Sequence, residues 1–375
     1  MNRDLWKKTD WIFFGLTMLL VAMGFALIFS SAKGLAEDAN LIIIKSIFFL
    51  IVGLIIIFIV GSVDYLKYME MEKLLYAIMM IMLLAVLVFG QDINGAKSWF
   101  SLGVFGIQPA EFSKILLILC LGGFFNRNFD NLNTWTQMFK AFLYILPPFA
   151  LIMLQPDLGT AMVYIFVVFG MLFFSNANKK IVCIILFSGL GLIVGWLALH
   201  LIFGVPIPLA EYQIQRFTVF LDPYNDGKNG LGAGYNIVQA LIASGSGGLF
   251  GKGFGNAAQI NFLPEHHTDF AFSVIGEEFG FIGGVVLLVI YFFFLLKALS
   301  IAHECLNHYG FIVIIGFVSM FMFHIVENIG MNISLMPVTG IPLPFISYGG
   351  SNLWTNLMAC GIIISISMRR TKEIF

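Results

Sequence analysis

The sequence predicts an all-α integral membrane protein of ten transmembrane helices, with one long extracytoplasmic loop between the seventh and the eighth. Three observations carry that prediction. Hydrophobic residues fill 59% of the 375 positions and charged residues only 11%, against about 25% charged in a soluble domain. Mean hydropathy is +0.94. The apolar residues also come in runs of about 20, the length one helix needs to cross the hydrocarbon core.

The runs fall at 11–31, 41–61, 73–90, 108–125, 139–154, 158–175, 181–203, 269–297, 309–330 and 350–368. The first follows "MNRDLWKKTDW" and lacks a small-residue cleavage site, so it reads as a retained span rather than a signal peptide. The fifth is short and carries Pro147-Pro148, which predicts a kinked or broken helix. Residues 204–268 form the long loop, and 1–375 reads as one polytopic domain. The four cysteines, Cys120, Cys183, Cys305 and Cys360, have no C-x-x-C spacing, so neither disulfides nor a zinc site is expected. A net charge of −1 gives no reason to expect a nucleic-acid partner.

Lysine and arginine set the orientation. Arg3, Lys7, Lys8, Lys67, Lys73, Arg127, Lys140, Lys179, Lys180, Lys297, Arg369, Arg370 and Lys372 lie on one side, thirteen of the 20 basic residues. That side holds both termini and is read as cytoplasmic. The polar residues of interest gather on the opposite side: Asp92, Lys97, Trp99, Gln108, Glu111, Lys114, Gln155, Asp157, Arg216, the glycine-rich loop, Asp269 and "PLPFISYGGSN". A site would therefore open outward.

Several motifs have both a functional and a bland reading. In "GIQPAEFSK", Gln108, Glu111 and Lys114 share one helical face. Charges within a span usually face a cavity or a partner, though a structural Glu–Lys pair would look the same. In "LQPDLGT", Asp157 is placed to cap a helix or to help hold a cation or phosphate. The stretch from Gly227 to Gly255 has ten glycines in 29 residues. It lacks the Walker spacing, because Ser246 and Gly253 stand where Gly and Ser/Thr belong. What remains is irregular backbone able to cradle an anion, or a tether. "YNIVQALIASG" within it reads as a short amphipathic helix at the membrane surface.

"NFLPEHHTDFAFSVIGEEFG" puts Asp269 at the mouth of the eighth span. Adjacent His266 and His267 cannot share one helix face, which argues against a caged zinc. Thr268 or Asp269 would make an ordinary helix cap. Ser273, Gly276, Gly280 and Gly283 form a small-residue stripe that permits close helix approach and would aim Asp269 into protein. A carboxylate at such a cleft is partly desolvated, which makes it a better base. Between spans nine and ten, Pro337, Pro342, Pro344, Gly340, Gly349 and Gly350 break the helical pattern. Non-helical backbone near membrane depth must be covered by protein or water, and broken helices often mark binding sites.

"GAKSWFSLGVFGIQPAEFSK", "QPDLGTA", "GAGYNIVQALIASGSGGLFGKGFGN", "FLPEHHTDFAFSVIGEEFG" and "PVTGIPLPFISYGGS" fall in this order across 11–370. Together they closely resemble the SEDS family, the shape, elongation, division and sporulation proteins. The short tails, "LFGKGF" and "SISMRR" resemble the RodA (elongation) branch more than the FtsW (division) branch. The resemblance implies a peptidoglycan glycosyltransferase of the bacterial cytoplasmic (inner) membrane. It would polymerise lipid II on the outer face beside a class B penicillin-binding protein, supported by a divalent cation, Mg2+ or Mn2+. Asp269 matches the family's essential aspartate, and Glu111, Lys114 and Asp157 match its other polar positions. Asp269 is accordingly the expected general base. Glu111, Lys114, Asp157, Arg216, Lys97, Trp99, Gln108, His267 and Ser347 are the expected contacts for substrate, pyrophosphate or cation. Two rival readings are a lipid-linked precursor flippase and a non-catalytic scaffold of the wall-synthesis complex.

Overall fold

The computed structural model describes residues 6–32, 39–93, 96–102, 105–204, 216, 218–224, 228 and 230–370. All ten apolar runs are helical. The helices are α1 (Trp11–Ala32), α2 (Ala39–Ser62), a short α3 (Tyr65–Glu70), α4 (Glu72–Phe89), α5 (Pro109–Arg127), α6 (Trp135–Leu154), α7 (Leu158–Phe174), α8 (Lys179–Phe203), α9 (Tyr235–Ser246), α10 (Ala271–His303), α11 (His308–Asn332) and α12 (Gly350–Met368). Among the described residues nine helices are long and apolar enough to cross a membrane. The apolar α7, at 17 residues, is shorter.

α5, α11 and α12 form the centre of the bundle, with most of their residues buried. α11 packs on α7, α10 and α5, and α12 packs along α2. The outer helices turn Ile51, Ile55 and Ile59, or Phe139 and Phe142, away from protein. They are apolar all round, as a helix must be when one face meets lipid and the other meets the core. Phe13 stacks on Phe294 with ring centroids 5.1 Å apart, and Phe345 packs edge-on against Phe294. These contacts tie α1, α10 and the α11–α12 connection into one core.

Three findings correct the expectations drawn from the sequence. First, residues between α4 and α5 form a small antiparallel sheet, β1 (Gln91–Ile93), β2 (Ala96–Leu102) and β3 (Phe105–Ile107), with Asp92 opposite Lys97 and Ser101 opposite Gly106. Second, α6 runs unbroken through Pro147 and Pro148. Third, α10 is 33 residues long, starts at Ala271 rather than 269, and is interrupted at Gly280 (φ 66°, ψ −163°). The helix loses two bonds there, and residues 248–253 replace them. Phe281 N and Ile282 N donate to Gly248 O and Leu249 O, while Lys252 N and Gly253 N donate to Glu277 O and Glu278 O. The glycine-rich segment thus repairs the gap in the ladder, as backbone at membrane depth requires.

Asp10, before α1, pairs with Lys297 near the end of α10 and with Arg370 after α12. The two ends of the described chain therefore lie at one end of the bundle. Asp269, before α10, lies at the other.

Candidate active site

The backbone that carries Asp269 is fixed from two directions. The carbonyl of His267 accepts from Tyr348 N at 2.8 Å. The carbonyl of Thr268 accepts from Ser347 Oγ. The carbonyl of Asp269 accepts from Asn328 Nδ2 at 2.9 Å and Asn332 Nδ2 at 3.1 Å. Three successive carbonyls are thus held by α11 and by residues 347–348. Ser347 Oγ also accepts from Leu343 N, and the His267 ring stands edge-on to Tyr348. The N-cap of α10 is Phe270, with no side-chain bond. The capping role open to Thr268 or Asp269 therefore does not arise, and Thr268 Oγ donates to Glu265 instead.

The Asp269 side chain is left available. Among the described residues no donor bonds its carboxylate, which keeps part of its surface accessible. Gly340, at φ +79°, lies beside it, and a Cβ there would stand 3.3 Å from Asp269 Oδ2. Burial pushes the Asp269 carboxyl up to about 6, helped by the charge of Glu265 and opposed by Arg216. Burial pushes both His266 and His267 down.

Two of the other sequence-predicted residues, Arg216 and Lys114, reach the non-helical segment between α11 and α12. Arg216 donates to Thr339 O at 3.2 Å. Lys114, buried, donates to Glu111 and bonds His324 Nε2 at 3.1 Å, and His324 Nδ1 faces Pro342 O at 3.2 Å. That geometry makes Nδ1 the protonated nitrogen and Nε2 the acceptor of the lysine proton. Asp157 caps α7, accepting from Thr160 N and Oγ, and it also accepts from Gln108 Nε2 at 3.3 Å. Gln108 therefore turns to Asp157 rather than joining Glu111 and Lys114. Its backbone N–H donates to Ser351 Oγ at the start of α12. Trp99 lies over Gly106 in the small sheet. Lys97 pairs with Asp92 by backbone register, and its side chain lies outside what the structure describes. Among the described residues no group of three or more His, Cys, Asp and Glu side chains is placed to hold a metal ion.

Sequence reasoning missed one set of residues. His324, Glu327, Asn328 and Asn332 form a polar stripe on α11, all nearly or fully buried. Each bonds the 339–342 segment or the turn before α10. The signal was available, because polar residues recurring every three or four positions inside a span face protein, not lipid.

What the fold and this geometry define is a multi-pass helical membrane protein with the accessible carboxylate of Asp269 held at the end of the bundle remote from the chain ends. The chain belongs to the FtsW/RodA/SpoVE family, whose model, described as a cell cycle protein, matches residues 10–372. Stage V sporulation protein E of Bacillus subtilis is 37% identical, covering 96% of this chain and 98% of that relative. Peptidoglycan glycosyltransferase RodA of Treponema pallidum is 34% identical, covering 95% and 96%. Peptidoglycan glycosyltransferase MrdB of Escherichia coli is 35% identical, covering 97% and 96%. Among solved structures, RodA of Thermus thermophilus superposes with a TM-score of 0.69 at 30% identity, covering 97% and 98%. A chain of a peptidoglycan synthase complex that coordinates polymerization and crosslinking superposes with a TM-score of 0.77 at 30% identity, covering 97% and 99%. The resemblance drawn from the motifs is thereby confirmed at the level of the family. The sporulation protein and the relatives named RodA and MrdB match at 34–37% identity, so identity alone selects no branch.

Proposed function

We propose that this chain is a peptidoglycan glycosyltransferase that polymerises lipid II on the outer face of the bacterial cytoplasmic membrane, with Asp269 as general base. One observation carries the reading. The Asp269 backbone is locked by three consecutive carbonyl bonds, while its carboxylate is unbonded and has its proton affinity raised to about 6. A base of that strength, fixed and unoccupied, suits removal of a proton from a sugar hydroxyl near neutral pH.

The 4-hydroxyl of the acceptor attacks the anomeric carbon of the donor. As the new glycosidic bond forms, the bond to the pyrophosphate-linked undecaprenyl carrier breaks, and the hydroxyl proton passes to an Asp269 oxygen. Direct displacement inverts the anomeric centre. The departing pyrophosphate needs positive charge rather than a proton, and Arg216 stands where it can supply it. Lys114 is already shared by Glu111 and His324 and serves to join α5 to the site. A resident cage for a metal does not fit the described residues. The Asp269 and Glu265 carboxylates would be the residues to hold a Mg2+ or Mn2+, which would supply positive charge toward the leaving pyrophosphate.

The Asp10–Arg370 pair supports an even number of crossings. α7, about 26 Å long at about 1.5 Å per residue, is then the tenth. The basic residues around that end support cytoplasmic termini. The relatives named RodA and MrdB agree with a role in elongation and rod shape. The solved synthase complex supports a crosslinking partner, a class B penicillin-binding protein.

Purified protein in detergent, where no membrane sides exist, should convert lipid II to glycan chains, and Asp269→Ala should not. EDTA should lower the rate. Wild-type polymerisation by a folded Asp269→Ala protein would remove the assignment. Absence of glycan from the wild type would return the flippase reading.

A further inference from the structure

We infer that Glu327 is a positioning residue for the Asp269 site, acting through the hydroxyl of Thr339. The inference rests on the reading of Asp269 as the base. Glu327 lies on α11 with no exposed surface. Thr339 Oγ donates to its Oε1 at 2.6 Å. The same Thr339 offers its carbonyl to Arg216. The next residue, Gly340, lies against the Asp269 carboxylate, and the one after it, Ile341, bonds Asn328 through its carbonyl. The hydrogen bond that Thr339 donates to Glu327 therefore fixes a residue whose own carbonyl meets Arg216 and whose neighbour Gly340 meets the Asp269 carboxylate.

A carboxyl is a costly way to fill an apolar span, so its presence there asks for a reason. Glu327 is not among the charges acting on Asp269, which are those of Glu265 and Arg216. What Glu327 supplies is an acceptor at a fixed point on a central helix. The adjacent Asn328 uses both ends of the same contact, bonding Ile341 O and Asp269 O. The 339–341 segment and Asp269 are therefore registered against one turn of α11. Catalytic geometry tolerates little displacement, and about 1 Å of misplacement can cost about a hundredfold in rate.

The test uses the full-length protein in detergent with lipid II at saturating concentration. Glu327→Leu preserves volume and removes the acceptor. Thr339→Val preserves shape and removes the donor while leaving the carbonyl to Arg216. Each should lower turnover by about tenfold or more. The double variant should fall no further than the worse single one, since both remove the same bond. Glu327→Gln keeps an acceptor oxygen and should retain turnover within about threefold. A packing role would not separate Gln from Leu. Each variant is first checked for monodispersity and melting temperature, and should Glu327→Leu fail to fold, Thr339→Val carries the same expectation. Wild-type turnover in Thr339→Val, a Gln variant as impaired as Leu, or multiplied losses in the double variant would each overturn the inference. If the wild type is active, Asp269→Asn is dead and Thr339→Val is unaffected, this inference falls alone. Silence from the wild type would take the proposed function with it.

Discussion

Asp269 combines a fixed backbone with an unbonded side chain. Its proton affinity follows from burial first, then from Glu265, with Arg216 pulling the other way. The active form of a general base is the unprotonated one. The rate of glycan formation should therefore rise with pH through about 6 and level off above it. Arg216→Ala removes the stabilising cation, so the same rise should move to higher pH, which a pH–rate profile would show as a shifted acid limb. The sign for stability is the opposite. A carboxyl raised from its ordinary 3.8 to about 6 favours the folded state only while protonated, and that contribution is lost as pH climbs across this window. At about 1.4 kcal/mol per pH unit, the cost at neutral pH is up to about 3 kcal/mol. Asp269→Asn should therefore melt higher than the wild type at pH 7 while making no glycan. An unchanged or lower melting temperature would mean that the carboxylate is better solvated than its surroundings imply.

α10 is the element under most tension between sequence and environment. Its composition is that of a continuous span, yet Gly280 adopts a conformation no helix contains, and the segment 248–253 completes the broken ladder. Lys252 and Glu277 fasten that segment, with Glu277 also accepting from Ala258 N and Gln259 N. The two partners are not equivalent. The Lys252 side chain is 30% exposed and Glu277 is fully buried. Stripped of its partner, Lys252 returns to water, while Glu277 cannot. Breaking a buried pair leaves an uncompensated charge at about 3–5 kcal/mol. Lys252→Met should consequently lower the melting temperature by more than Glu277→Gln does. The reverse order would indicate that the two backbone N–H groups suffice for Glu277.

At the scale of the molecule, the chain ends are drawn together by the Asp10–Lys297–Arg370–Glu304 network, remote from Asp269. Burial pushes the Asp10 carboxyl up, but Lys297, the N–H of Phe13 and Arg370 together hold it below its ordinary 3.8. Its contribution to stability is present above that pH and lost as pH falls beneath it. Asp10→Asn should loosen the junction of α1, α10 and α12 by about 1–3 kcal/mol. Faster amide exchange at these helix ends, with catalysis at the far end unchanged, is the expected observation. Equal protection in variant and wild type would show that apolar packing, with Phe13 on Phe294, holds the junction without the ions.

The sequence by itself determined the membrane class, the ten helical segments and the choice of Asp269 as the candidate base. Each depends on local chemistry: apolar length, basic flanks, or a carboxyl where oil is expected. It did not determine the small sheet at 91–107, because three-residue strands carry too little periodicity to read. Nor did it reveal that α6 stays helical through Pro147 and Pro148. Only the tertiary structure decided how the site is assembled. Asp269, Arg216, Glu111, Asp157, Ser347 and the stripe from His324 to Asn332 lie far apart in the chain. Several of them are brought together where α5, α10 and α11 reach the non-helical segment between α11 and α12. Its unpaired carbonyls and N–H groups need partners where water is scarce, and those partners are the polar residues that build the site.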